Sequence, residues 1–194
     1  SCGMSDLAEV YQALDAIGAF EGYPTILLLC TSQYPTPPED VNLLKLKTLA
    51  NAFPDLVLGF SDHTKGSLAS SLAVGFGAVF FEKHFTLDND LAGPDHWFSE
   101  NPENLKAWVD SIHKSYKMMG SSIVRPTKGE LKNKKEFQRV VVAGTDIEEG
   151  TVFELENLAV SRVSGGNGLP PLFIKKLLGS KSSKSYKKNE PITI

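Results

Sequence analysis

Cysteine is nearly absent: Cys2 and Cys30 are the only two in 194 residues. Two thiols cannot build a disulfide framework, and both sit in apolar or strand-end surroundings, so free thiols in a reducing cytoplasm are expected. No run of about 18 or more apolar residues occurs, which excludes a membrane-spanning helix. The opening Ser-Cys-Gly-Met-Ser-Asp-Leu-Ala-Glu-Val has neither a basic region nor a long apolar core, so no secretory signal is expected there. Aromatic residues make up only 9%. Few of them lie among the scattered lysines, and no nucleic-acid partner is expected. What remains is an ordinary globular composition, 41% hydrophobic and 22% charged. The net charge of −3 conceals a division. Residues 1–110 carry 5 Lys+Arg against 15 Asp+Glu, and residues 111–194 carry 15 against 8. Such a division suggests two units that face one another electrostatically.

From residue 5 the apolar positions recur at helical spacing, with Ser5 and Glu9 bracketing the start as a loose capping box. Thr25 to Cys30 is a short, wholly apolar run, as in a strand of a parallel sheet buried on both faces. Asp40 to Phe53 reads as a helix stopped by Pro54, Leu56 to Phe60 as a strand, and Lys65 to Phe76 as a helix. Ala78 to Glu82 reads as a third strand and Pro102 to Met119 as a longer amphipathic helix. Strand and helix alternate three times over, which predicts a parallel α/β architecture. Polar clusters at the strand ends suit a (β/α)8 TIM barrel, whose active site gathers at the C-terminal rim. Three units cannot close eight strands, so residues 1–119 are expected to be the C-terminal half of such a barrel. Residues 120–138 are polar, basic and poor in core residues, and read as a linker. Residues 139–194 offer short strands at Arg139 to Ala143, Gly150 to Phe153 and Leu158 to Val160. They predict a small, mostly-β domain near the lower size limit for independent folding.

Two of the strand-like runs end on a histidine among acids and hydroxyls: Gly-Phe-Ser-Asp-His-Thr at 59–64 and Phe-Glu-Lys-His-Phe-Thr at 81–86. His63 and His84 are one strand–helix–strand unit apart and so occupy the same rim. Neutral imidazoles on neighbouring strand ends can share a divalent metal, with positions left for water and substrate oxygens. Alternatively each histidine merely caps its loop. Glu82 could orient a ligand histidine or form an ion pair with Lys83, and alternation along a strand leaves open whether Asp62 and Glu82 point the same way. In Gly93-Pro-Asp-His96 the rigid turn would hold Asp95 at the mouth of the site for proton transfer or water activation, unless it is an ordinary turn aspartate. After Cys30, the residues Thr31, Ser32 and Tyr34 offer hydroxyls to a phosphate or sugar, or satisfy a turn. Arg162 lies beside the glycine-rich stretch 164–168, and arginine suits bidentate recognition of carboxylate or phosphate.

Together, Cys-Thr-Ser-Gln-Tyr-Pro-Thr-Pro-Pro-Glu-Asp-Val-Asn-Leu (30–43), Gly-Phe-Ser-Asp-His-Thr (59–64), Glu-Lys-His-Phe-Thr-Leu-Asp (82–88) and Gly-Pro-Asp-His (93–96) resemble the N-acetylneuraminate (sialic acid) synthase family. Residues 139–194 resemble that family's antifreeze-like, or SAF, domain. The resemblance implies a transferase that condenses phosphoenolpyruvate with an N-acetylated hexosamine such as N-acetylmannosamine, giving a nine-carbon 2-keto sugar acid and phosphate. It implies His63 and His84 as ligands of a divalent metal, usually Mn2+, with Mg2+ or Co2+ as alternatives. Asp95 falls in the reacting-centre group beside Glu82, and Ser61 and Ser32 fall at phosphoenolpyruvate-site positions. Ser32 replaces an asparagine often found there. Tyr34 matches a sugar-side contact. Arg162 matches an arginine that the SAF domain inserts into the partner's barrel in a domain-swapped homodimer.

Ser1-Cys-Gly-Met is similar to the Ser-Thr-Gly-Met that ends the family's fifth strand, with Cys2 as a departure. The first half of the barrel is therefore expected to belong to a longer protein. Residues 1–194 alone would leave open sheet edges, and are expected to be inactive and poorly soluble or to assemble through those edges. The run His96-Trp-Phe-Ser points towards sialic or legionaminic precursors rather than the pseudaminic one. Two rival readings stand beside this one. Another metal-dependent barrel aldolase or sugar isomerase would not need the SAF-like tail. A half-barrel remnant with a carbohydrate-binding tail would have no activity.

Overall fold

The computed structural model describes residues 1–165 and 167–193, the side chains of Lys132 and Lys135 excepted. Gly166 of the glycine-rich stretch and the terminal Ile194 lie outside the described residues. The chain divides into two compact units, Ser1–Ser121 and Ser122–Ile194.

The first unit begins with helix α1 (Leu7–Ala16). Its cap is Asp6 rather than Ser5. Asp6 Oδ1 accepts from the Glu9 backbone N–H and Glu9 Oε2 accepts from that of Asp6, both at 2.9 Å. A capping box needs a spacing of three, which Asp6 and Glu9 satisfy and Ser5 does not. Strand β1 (Ile26–Cys30) follows, buried from Leu27 onward. The helix expected over 40–53 is cut short: a 3-10 turn at Pro38–Asp40 precedes α2 (Lys45–Ala52). Asn42 is the reason. It takes up φ +50°, a left-handed conformation that asparagine tolerates and a helix does not. Gly66, at φ +75°, likewise delays α3 (Leu68–Gly75) beyond the expected Lys65.

Strand β2 (Val57–Asp62) runs two residues further than the sequence suggests, and β3 (Phe80–Lys83) starts and ends later. Helix α4 (Pro102–Met119) has the expected bounds, with the Asn101 side chain accepting from the Asn104 N–H and Pro102 at the first turn, where its missing N–H costs nothing.

The three strands form one parallel sheet in the order β1-β2-β3. Register pairs Cys30 with Ser61, Ser61 with Glu82 and Asp62 with Lys83. Leu29, Leu46, Phe60 and Ala73 are essentially sealed from solvent between sheet and helices. At Gly59 a side chain would strike the Leu28 side chain and lie 2.5 Å from the Phe80 carbonyl, so the neighbouring strands close over this position only because it is glycine.

The second unit opens with a difference from expectation. The stretch expected to be a linker carries helix α5 (Lys128–Phe137), whose Thr127 and Glu130 form a capping box. Strands β4 (Arg139–Ala143) and β5 (Leu158–Arg162) pair antiparallel. The run at 150–153 contributes one bridge, Val152 to Lys181, rather than a strand. Helix α6 (Ile174–Leu177) completes the unit. Val141, Ala143, Ile147, Tyr186 and Ile192 form its core. Among the described residues, no helix is long and apolar enough to cross a membrane.

Candidate active site

Side chains alternate across a strand, so the register assigns faces. Ser61 and Glu82 are register partners on one face, and Asp62 and Lys83 are partners on the other. The first pair meets directly: Ser61 Oγ donates to Glu82 Oε1 at 2.8 Å. The next residues on that side are His63 and His84, just past the C-terminal ends of β2 and β3.

The two imidazole rings stand 5.2 Å apart, edge to face at 69°. The Tyr34 ring lies against both, 4.4 Å from His63 and 5.5 Å from His84, and Phe98 closes the group at 5.0 Å from His84 and 5.5 Å from Tyr34. His63 is buried, and its Nδ1 is 2.8 Å from the Thr31 carbonyl oxygen. A carbonyl only accepts, so Nδ1 carries the proton and the Nε2 lone pair stays available. The Thr36 N–H donates back to the His63 carbonyl at 2.8 Å, so the loop after β1 is fastened to this histidine at two points. Cys30 Sγ lies 3.8 Å from the same Nδ1. His84 is more open. Its Nδ1 is 3.8 Å from Asp95 Oδ2, and the Asp95 side chain is 60% exposed.

The loop from His84 to Glu100 is built from polar contacts of its own. Thr86 Oγ1 is 2.7 Å from His96 Nδ1, Asn89 Nδ2 donates to the carbonyls of His96 and Ser99 at 2.8 Å, and Ser99 Oγ donates to the Asp95 carbonyl at 2.5 Å. A side chain at Gly93 would press on the His96 ring at 2.8 Å. Asp95 is thus held by a braced turn.

On the opposite face lies a buried charge cluster. Asp62 is 1% exposed. Its Oδ1 accepts from the Thr64 N–H and hydroxyl at 2.8 and 2.7 Å, and its Oδ2 from Ser70 Oγ at 2.5 Å and Trp108 Nε1 at 3.2 Å. Lys83 Nζ stands 3.3 Å from Asp62 Oδ2 and 3.6 Å from Glu100 Oε1. Glu82 is therefore not the partner of Lys83. Adjacent strand residues point to opposite faces, so Asp62 and Glu100 take that part.

The structure brings His63, His84, Tyr34 and Asp95 together, and joins Ser61 to Glu82. Ser32 instead lines a cleft with Cys2, Asp40 and Asn42. Arg162 lies exposed on β5 in the second unit, its guanidinium 5.9 Å from the Phe137 ring centroid. Sequence reasoning notes Phe98 only as part of the run 96–99, without placing it beside the histidines, and does not single out the Thr86–His96 contact. Their signal is the density of polar and aromatic residues between 84 and 100, which has no periodicity to weigh.

The profile of the NeuB family matches residues 1–124. The chain belongs to the NeuB family. Residues 138–194 match the SAF domain. The chain is 40% identical over 195 residues to the N,N'-diacetyllegionaminic acid synthase of Campylobacter jejuni, an alignment covering 99% of this chain and 57% of that protein. It is 34% identical over 193 residues to the pseudaminic acid synthase of Helicobacter pylori, covering 100% and 56%. Among solved structures, the N-acetylneuraminic acid synthetase of Leptospira borgpetersenii is similar at a TM-score of 0.60 and 32% identity, over 70% of this chain and 48% of that one. The chain spans about half the length of the curated relatives it matches. The NeuB match covers the whole histidine-bearing sheet, and the named relatives are sugar-acid synthases.

The donor set at His63 and His84 suits a divalent cation of borderline softness. One imidazole has its tautomer set by a carbonyl, and the second lies beside a carboxylate, an arrangement typical of metal-binding histidines. Among the described residues no third His, Cys, Asp or Glu joins them. An ion held by these two would need further ligands besides them.

Proposed function

We propose that the complete protein is a nonulosonate synthase. It joins the methylene carbon of phosphoenolpyruvate to the aldehyde carbon of an open-chain N-acetylated hexosamine, consuming a water and releasing phosphate and a nine-carbon 2-keto sugar acid. The observation that carries this reading is the meeting of His63, His84 and Tyr34 at the C-terminal ends of adjacent parallel strands, within the NeuB match. The SAF match favours it over an aldolase or sugar isomerase, which has no need of such a domain.

In this reading β1, β2 and β3 are strands of a (β/α)8 barrel. His63 and His84 would hold a divalent cation, Mn2+ in the first instance, with Mg2+ or Co2+ able to replace it. Bound there, the ion supplies Lewis acidity towards an aldehyde oxygen. The chain's own residues do the rest. Tyr34 and Phe98 wall the two imidazoles, and the Tyr34 hydroxyl faces the sugar. Asp95, open to solvent beside His84, exchanges a proton at its carboxylate with water or a sugar hydroxyl. Ser61 turns its one hydrogen from Glu82 to an oxygen of phosphoenolpyruvate, which it binds together with Ser32. Arg162 reaches the sugar's N-acetyl end from the SAF domain of a partner subunit in a domain-swapped homodimer, and the enzyme works in the cytoplasm.

The test is phosphate release by the full-length protein with phosphoenolpyruvate and Mn2+, with and without N-acetylmannosamine or the diacetamido precursors of legionaminic and pseudaminic acid. Release that requires one of these sugars, with formation of the 2-keto acid, is the expected result. Phosphate release indifferent to every sugar would overturn the reading.

A further inference from the structure

We propose that Lys83 is a positioning residue that sets the spacing of His63 and His84 from the far side of the sheet. The inference rests on the reading of those histidines as metal ligands and adds a residue that touches neither. The Lys83 side chain is 3% exposed. Its ammonium donates to the Thr64 carbonyl at 2.6 Å and to the Gly66 carbonyl at 3.3 Å, both in the loop that leaves His63. It pairs with Asp62, the residue that enters His63, and with Glu100. Glu100 in turn brackets His84: its N–H donates to the His84 carbonyl at 2.9 Å and its carbonyl accepts from the Thr86 N–H at 3.0 Å. One buried charge thus holds the backbone just after His63, the side chain just before it and the segment that fixes His84, and Lys83 itself immediately precedes His84.

A buried ion pair is weak evidence of a gain in stability, because desolvation offsets much of its attraction and an apolar set of equal volume often serves as well. What an apolar set cannot supply is direction. The ammonium's hydrogen bonds set where two carbonyls sit and its charge draws in two carboxylates, and those four groups belong to the two segments that carry the imidazoles. Partners that orient metal ligands from behind typically alter affinity about 10- to 100-fold when removed.

The experiment uses the full-length protein and Mn2+ alone, without substrate. Binding is measured by titration, and the histidine side chains are followed by 1H–15N NMR on the diamagnetic, metal-free form. Lys83→Met is expected to weaken Mn2+ binding by about tenfold or more and to shift the His63 and His84 imidazole signals, in protein that still unfolds cooperatively. Glu100→Gln keeps the Asp62 pair and serves if Lys83→Met does not fold; its loss should be smaller and in the same direction. His63→Ala is the control for the underlying reading. Loss of the ion in His63→Ala, with wild-type affinity and unmoved imidazole signals in the folded Lys83 or Glu100 variant, would overturn the positioning role alone. Stoichiometric Mn2+ retained by His63→Ala would overturn the metal reading and this inference with it.

Discussion

Ser61 and Glu82, register partners on adjacent parallel strands, are joined by a 2.8 Å hydrogen bond on the face that leads to the two histidines. The hydroxyl is buried while the carboxylate is exposed, and the serine can donate to an anionic ligand only by turning its one hydrogen away from the acid. Ser61→Ala in the full-length enzyme should raise KM for phosphoenolpyruvate by about 10- to 100-fold, the range for a hydrogen bond to a charged group. Sugar KM should change little. Steady-state kinetics with each substrate varied in turn will separate the two, and a change confined to the sugar would remove Ser61 from the phosphoenolpyruvate side.

His63→Ala or His84→Ala should abolish condensation and strip the metal, because two imidazoles leave too few protein ligands to survive the loss of one. Metal analysis of the purified variants decides this independently of activity.

Arg162→Ala should raise the sugar's KM by about 10- to 100-fold, as expected when charge-assisted hydrogen bonds to a ligand are lost, and leave that of phosphoenolpyruvate near wild type. Equal effects on both substrates would argue for a general closing role instead.

Gly59→Ala should destabilise the protein by about 1–3 kcal/mol, because the new methyl group overlaps Leu28 and the Phe80 carbonyl in a sheet that cannot widen locally. Denaturant unfolding measures it. An unchanged midpoint would mean the strands can part at this register.

The Asp146–Lys187 contact in the second unit gives a pH signature. The Lys187 hydrogen bond, together with the Lys188 N–H, holds the Asp146 carboxyl below its ordinary value, and the same pair raises the Lys187 ammonium above its own. A lowered acid contributes stability above its unfolded value of about 3.8, and that contribution is lost as pH falls through the lower folded value. A raised base contributes below about 10.5 and loses its contribution as pH rises through the higher folded value. The difference in Tm between wild type and Asp146→Asn should therefore be present near neutral pH and close towards pH 2. A difference that persists in acid would assign the effect to the Asn side chain itself.

Strong periodic signals were legible in advance. The apolar runs became β1, β2 and β3, and α4 has the bounds that Asn101, Pro102 and its amphipathic pattern imply. The meeting of His63 and His84 was also legible, because one strand–helix–strand unit brings equivalent rim positions together. The start of α2 was not, since it depends on Asn42 entering a left-handed conformation that sequence permits but does not require. Helix α5 escaped for a different reason: it has no apolar stripe, and only the capping signature Thr127-Lys-Gly-Glu130 marks it. The partnership of Lys83 with Asp62 rather than Glu82 became readable only once β2 was seen to continue through Asp62, because a strand's last residue decides which face the next side chain takes.

The pleat of β2 and β3 therefore interleaves two kinds of information at single-residue spacing. In a saturation scan from Phe60 to His63 and from Phe81 to His84, tolerance should alternate in phase along both strands. Phe60, Asp62 and Phe81 would report on folding yield, Ser61, His63, Glu82 and His84 on turnover, and Lys83 on both. A single-residue insertion or deletion within either strand would exchange the two sets, sending the ammonium into the reaction site and an imidazole among the helices, so this segment should accept substitutions far more readily than any change of length.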